Sequence, residues 1–329
     1  MRPPPLLAPV PRVAPLACLV EALRPALEPY VGPGDGAEPC DLWLSCGPDG
    51  APLRWHCPVG VLYDLFAAPA ASGGGVGAGA GGGGGPSPLA VLWEVGVHTG
   101  CLPRGELLPL GGNLGPRDYF FNAMKEAAFV LHGSSGAVQA LLEPIRAALW
   151  EAAAGGDRTA HAASLQAAKL RVLLAGAPAE VSDEGVGRQP SVRVPVRAYL
   201  APAGPTGESP QSLKSWDAVE CVTVALDVLR GEGGRGAGGD GGASGEAGAA
   251  SGCVPTEFVP ALSAALGLRP GVEREQGFRV IVGGIEVPSA AEVAWVYSTL
   301  HFPDLWLHAT VWVPPAPAPG PGAAPASTS

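Results

Sequence analysis

Lysine is scarce in this chain. Of 20 Lys and Arg in 329 residues, only Lys125, Lys169 and Lys214 are lysines, so chemistry that needs a side-chain primary amine has three places to occur. Basic residues are also dispersed, and the net charge is −10. Phosphate backbones are held by clustered Lys and Arg, so no nucleic-acid partner is expected. No run of about 18 apolar residues is free of Pro, Gly and charge, which argues against a spanning helix. The seven Cys (18, 40, 46, 57, 101, 221 and 253) are odd in number and contain no Cys-x-x-Cys. That pattern favours reduced thiols over a disulfide frame or a zinc site. No Gly-x-Ser-x-Gly elbow is present. The glycine tracts lack the Gly-Lys-Ser/Thr close of a phosphate cradle. Acidic residues are missing before Glu21, as in a transit peptide, but prolines at 3, 4, 5, 9, 11 and 15 break the amphipathic helix such a peptide uses.

What is abundant is Gly (49) and Pro (37), concentrated in tracts. Residues 72–87 and 231–252 read as disordered Gly-rich inserts and 314–329 as a disordered Pro/Ala tail, since none can bury a core. Between them, one order of signals occurs twice. Residues 50–66 read as a turn, a short strand (Pro52 to Cys57), a stop at Pro58 and a short amphipathic helix, and a strand over 91–98 follows. Late in the chain come Phe278 to Val282, the Gly283-Gly284 turn, Ile285 to Val287, Pro288, an apolar helical run to Leu300 and a strand over 305–313. Strand, tight turn, strand, short helix and closing strand form the second half of a ubiquitin-like β-grasp. The class expected is α+β: two ubiquitin-like modules, 1–104 and 186–313, flanking a helix-rich domain over 105–185.

Helices are predicted over 16–27 and 256–266, and three more between 116 and 176. The first of these three runs from Pro116 to Gly133, with Phe121, Met124, Ala128 and Leu131 as its apolar stripe. The second starts at Ser135, places Val138, Leu141, Leu142, Ile145 and Leu149 on one face, and is kinked or broken at Pro144. The third starts at Asp157 as N-cap and ends near Gly176. From 192 to 200 an alternation predicts one buried and one wet face, with Pro195 forcing an edge strand or a bulge. The strand at 305–313 is apolar on both faces. Its second face, with Trp306 and Trp312, is expected to pack on the helical middle or to meet a partner.

Five segments resemble the autophagy protein 5 family: Pro52-Leu53-Arg54-Trp55-His56-Cys57-Pro58-Val59-Gly60, Met124-Lys125-Glu126-Ala127, Val194-Pro195-Val196-Arg197, Gly284-Ile285-Glu286, and Phe302-Pro303-Asp304 with Leu307-His308. They follow the family's order across residues 6–315. The resemblance implies a non-catalytic scaffold of autophagosome formation. One lysine would accept the C-terminal glycine of autophagy protein 12 in an isopeptide bond. The conjugate would bind autophagy protein 16 non-covalently and promote lipidation of autophagy protein 8. The implied location is the cytoplasm, with recruitment to the preautophagosomal membrane as a peripheral complex. The acceptor in the Met-Lys-Glu-Ala segment falls on Lys125. No cofactor or metal is implied. Family members carry a helix and a strand pair before the part resembling 6–27, so the first module is expected to lack two strands.

Spacing alone reads Lys125 as a solvated helix lysine beside Glu126; the resemblance makes it a nucleophile. An ordinary lysine titrates near about 10.4, and partial desolvation raises the neutral, reactive fraction. Phe121 and Phe129 lie one turn to either side and are expected to support its stem. Lys169 and Lys214 keep the plain reading. A thiol-dependent transferase using Cys57 or Cys221, and a ubiquitin-like adaptor with no covalent step, are the alternatives. His56 and Cys57 are read as consecutive strand residues on opposite faces, unable to pair. His301, His308 and Asp304 lack zinc spacings; His308 is expected to be packed or hydrogen-bonded. Trp55, Trp295, Trp306 and Trp312 are expected to anchor cores or interfaces.

Overall fold

The computed structural model describes residues 5–27, 29, 42–47, 50–67, 93–99, 102–108, 115–168, 170, 192–203, 213, 215–228, 256–275 and 277–315. The predicted inserts at 72–87 and 231–252, the tail beyond Pro315, Lys169 and Lys214 lie outside them.

In the first module, α1 (Leu16–Leu27) buries Leu16, Ala17, Val20 and Leu27. β1 (Leu42–Cys46) turns back on residues 51–53, where Leu53 N–H donates to Leu44 and Cys46 N–H to Ala51. This arm is shorter than predicted: it holds a single bridge, Ser45 to Pro52, and the chain leaves it for the turn at residues 55–57. α2 (Val59–Phe66) starts directly after Pro58, as the sequence indicates. β2 (Val95–Thr99) pairs antiparallel with β1, from Leu42↔Thr99 to Cys46↔Val95. Among the described residues this sheet has two strands.

In the helical middle, α3 (Pro116–His132) has Pro in its first turn, Asp118 near its positive end, and Gly133 closing it in the left-handed region at φ 71°. Its stripe is buried as predicted: Phe121, Met124, Ala128 and Leu131. The second predicted helix is two, α4 (Gly136–Gln139) and α5 (Glu143–Gly155). Pro144 opens α5 rather than kinking a longer helix, since a first-turn residue has no intrahelical N–H bond to lose. Leu142 becomes the residue that precedes α5 and is 70% exposed, against the expectation that it shares the buried face. α6 (Arg158–Ala167) is capped by Asp157, which accepts the Ala160 N–H at 2.9 Å, and ends well before Gly176.

The second module contains β3 (Val192–Pro202), β4 (Glu220–Val228), α7 (Phe258–Ala265), β5 (Arg279–Val282), β6 (Ile285–Glu286), α8 (Val293–Leu300) and β7 (Leu307–Val313). The sheet order is β4-β3-β7-β5-β6, with β3 parallel to β7 and every other neighbouring pair antiparallel. This is a mixed β-grasp sheet. The hairpin between β5 and β6 turns at Gly283 and Gly284, whose φ of 59° and 85° are conformations that side chains disfavour. β3 is an interior strand that pairs with β4 in unbroken register, neither the edge nor the bulged strand predicted from Pro195. The β3–β7 ladder begins only at Val196, so Pro195 takes no part in it.

Both faces of this sheet are covered. Val194, Val196, Ala198, Leu307, Ala309 and Val311 join Phe258, Leu262, Val293 and Tyr297 in one core. Tyr199, Ala201, Ile281 and Trp312 point the other way and enter the core of the first module with Leu53, Leu62 and Leu65. The C-terminal part of the predicted wet face of β3 is therefore an interface, with Tyr199 buried, while Arg193 is exposed.

Candidate functional site

One edge of α3 carries Asn122, Lys125, Glu126 and Phe129 beside its buried stripe. The helix is fixed beneath this edge by Trp306, whose indole N–H donates to the Ala123 carbonyl at 2.9 Å. Trp306 is itself aimed by an unusual backbone: Leu305 has φ 69°, a left-handed conformation that costs a branched residue about 1–3 kcal/mol. The Tyr297 hydroxyl donates to the Leu305 carbonyl at 2.9 Å, and Phe302 N–H donates to the Trp306 carbonyl at 2.8 Å. The strained turn is thus held on both sides.

Arg197 on β3 lies over Trp306, its guanidinium carbon 4.4 Å from the ring centroid, and donates to Glu126 at 2.7 Å. A hydrogen-bonded row runs behind it. Asp304 accepts the Trp306 N–H at 3.2 Å, meets His308 Nε2 at 2.9 Å, and His308 Nδ1 lies 3.0 Å from the Tyr199 hydroxyl. Burial alone would raise the Asp304 carboxyl. His308 and Arg197 outweigh it and hold the group below the usual range. His308 is packed and hydrogen-bonded, as the sequence suggests.

Lys125 is partly exposed, and its Nζ donates to Asn122 Oδ1 at 3.2 Å. It opens on a surface cavity of about 440 Å³ lined by Glu126, Phe129, Val130, Ser135, Thr223 and Trp306. Of the two phenylalanines expected to support its stem, only Phe129 lines this cavity, 57% exposed. Phe121 is buried at 1% exposure under Arg146, on the core side of the helix. The Arg197–Glu126 pair and the Asn122 contact were not foreseen. Nothing local marks Arg197 as a partner of Glu126, which lies 71 residues away in the chain.

Of the two candidate thiols, Cys57 is poorly placed to act as a nucleophile. It is buried, and burial with Cys221 nearby pushes its thiol up to about 12. Cys221, the other candidate thiol, is exposed on β4, and only partial desolvation raises it. His56 and Cys57 sit in a turn, not a strand as predicted. Burial, with Arg54 adding, lowers His56 to about 4. The space beside His56, where Trp55, Tyr119, Phe302 and Asp304 meet, measures about 20 Å³, room for one water molecule. His301 Nδ1 is 2.9 Å from the Tyr297 carbonyl oxygen. Among the described residues, no three His, Cys, Asp or Glu converge as metal ligands. Nor is any described helix long and apolar enough to cross a membrane. Trp55, Trp306 and Trp312 are buried, as anchors should be, whereas Trp295 is 50% exposed.

Comparison with known proteins agrees with this architecture. Three family models match in order: Autophagy protein ATG5, UblA domain, over residues 1–99; Autophagy protein ATG5, alpha-helical bundle region, over 116–162; and Autophagy protein ATG5, UblB domain, over 252–311. Together they cover more than half of the chain. Autophagy protein 5 of Phaeosphaeria nodorum is 27% identical over 307 residues, covering 92% of this chain and 85% of the relative. That of Arabidopsis thaliana is 24% identical over 336 residues, covering 94% and 90%. That of Aspergillus fumigatus is 32% identical over 213 residues, covering 64% and 59%. The crystal structure of Kluyveromyces marxianus Atg5 shares the fold, with a TM-score of 0.54 and 18% identity over 91% of this chain and 84% of that one.

Proposed function

Because this chain belongs to the autophagy protein 5 family and so has a role in autophagy, we propose that it is a non-catalytic acceptor and scaffold of autophagosome formation. Lys125 takes the C-terminal glycine of autophagy protein 12 in an isopeptide bond. The conjugate binds autophagy protein 16 non-covalently, and the assembly promotes lipidation of autophagy protein 8. It works in the cytoplasm and is recruited peripherally to the preautophagosomal membrane. One observation carries this reading: the Lys125 amine is partly exposed beside an open cavity, on a helix whose backbone is tied down by Trp306. A thioester on a separate enzyme can approach such an amine, and a fixed helix presents it in one place. The thiol-transferase alternative loses support at Cys57, which is buried with its thiol raised, and rests on the exposed Cys221.

The test is reconstitution with autophagy protein 12 and its activating and conjugating enzymes, with the branched peptide mapped by mass spectrometry. The expected branch is on Lys125 and disappears in Lys125→Arg. A branch confined to Lys169 or Lys214 would overturn the acceptor assignment. Transfer that depends on a cysteine of this chain would overturn the non-catalytic reading.

A further inference from the structure

Two hydrogen-bond acceptors lie within one turn of the Lys125 amine, and the fold uses them differently. Glu126, the next residue, has the charge that pairs most readily with an ammonium and favours that form. Its carboxylate is instead engaged by Arg197 at 2.7 Å. Arg197 rests on Trp306, and 14% of its side chain is exposed, so it is held in place rather than waving in solvent. Asn122, one turn earlier, offers a neutral amide oxygen, and Lys125 Nζ donates to it at 3.2 Å. An amide accepts an N–H and fixes the amine's rotation without supplying a counter-charge. Besides Lys125, the charged groups at this cavity among the described residues are Glu126, on its wall, and Arg197, bonded to Glu126.

We propose that Asn122 is a positioning residue for acyl transfer to Lys125, and that the Arg197–Glu126 pair keeps the amine free of a carboxylate partner. The inference rests on the acceptor reading above. In the step concerned, the amine lone pair attacks the carbonyl carbon of a ubiquitin-like C-terminal thioester. The C–N bond forms, the C–S bond breaks, sulfur leaves as the conjugating enzyme's thiolate, and the surplus amine proton passes to a buffer base. An amine paired with a carboxylate spends more of its time protonated and attacks more slowly. An amine with one N–H held by Asn122 keeps its lone pair available at a fixed place.

Two measurements on the full chain test this. In the first, limiting acetic anhydride is added near neutral pH, and acetylation of Lys125 is quantified against Lys169 and Lys214 in the same digest. Asn122→Asp places a carboxylate beside the amine and is expected to slow Lys125 acetylation about two- to fivefold, the range an exposed ion pair supports. Arg197→Gln frees Glu126 and has the same effect, and adding Glu126→Gln reverses it. Should Arg197→Gln unfold the chain, the exposed Asn122→Asp site decides the matter. In the second, single-turnover transfer from the loaded conjugating enzyme is timed. Asn122→Ala is expected to slow it about three- to tenfold, while chemical acetylation changes less than about twofold, because only the oriented reaction needs the placement. Acetylation indifferent to Asn122→Asp, or transfer at Lys125 indifferent to Asn122→Ala, overturns this proposal alone. Conjugation that persists in Lys125→Arg removes the acceptor reading, and this proposal with it.

Discussion

His161 is buried and His56 half-buried, each with an inaccessible ring nitrogen that has no partner, Nε2 in the first and Nδ1 in the second. Burial holds both neutral, and each is lowered from 6.5 to about 4. His301 adds to the effect at His161, and Arg54 and Arg197 at His56. The sign follows from linkage. Between the two values the unfolded chain binds protons that the folded chain refuses, so acid favours unfolding. Stability should be at its plateau above pH ~6.5 and fall as pH drops toward 4, by up to ~3 kcal/mol for each histidine. Asp304 belongs to a lower window. Its folded value is depressed, so its contribution is present above its ordinary value of 3.8 and fades only as pH falls through the lower folded value. Denaturant unfolding across this range should therefore show a slope between pH 6.5 and 4 that flattens in His161→Gln. An unchanged slope would mean that His161 is protonated in the folded state. None of this was legible in the sequence. His161 sits at a helix position that composition cannot distinguish from a solvated one, and what buries it comes from the second module.

At the scale of elements, α3 was legible because its signals are local. Pro116 fixes a first-turn geometry, Asp118 suits the positive end, and Gly133 takes a left-handed φ of 71° that closes the helix. Gly133→Ala meets no atom within 4 Å, so its cost is conformational alone, about 1 kcal/mol, readable as a shift in the denaturation midpoint. The break between α4 and α5 was less legible. A run of apolar residues from Val138 to Leu149 fits one helical face, and only the separate caps show that the phase is reset at Leu142. The platform under Lys125 was hidden for a different reason: Trp306 reaches Ala123 across 183 residues of chain. Trp306→Phe keeps a ring under Arg197 but deletes the N–H that donates to the Ala123 carbonyl. It should cost about 1–2 kcal/mol. Amide exchange over 122–126 should quicken beyond what that global loss explains. Exchange that rises uniformly across the chain would show that the bond stabilises the fold without fixing this helix in particular.

For the molecule as a whole, the two β-grasp halves were readable because each announces itself with a turn and a proline. Their mutual packing was not, because alternation reveals that a strand face is apolar and not what covers it. The second module's sheet is the floor of the first module's core. Tyr199, Ala201, Ile281 and Trp312 share that core with residues of β1 and α2. Further ties cross at the margins. The Trp216 indole N–H donates to the Pro52 carbonyl while Arg54 lies 4.1 Å over its ring. The Arg12–Asp64 ion pair sits against the Gly284 turn, where an added Cβ would come within 2.7 Å of the Arg12 guanidinium. Among the described residues the first module's sheet has two strands, and its core is completed by side chains of the second module. The first module is therefore expected to borrow its stability from the second and to unfold with it. Trp312 is buried at 1% exposure, and Trp312→Ala should cost about 3–5 kcal/mol. Hydrogen exchange followed by mass spectrometry gives the decisive pattern. Peptides covering 59–66 should lose protection at the same denaturant concentration as those covering 307–313, in the wild type and in Trp312→Ala alike. First-module peptides that keep their protection while β7 opens would show two independent domains and remove the shared core from the account.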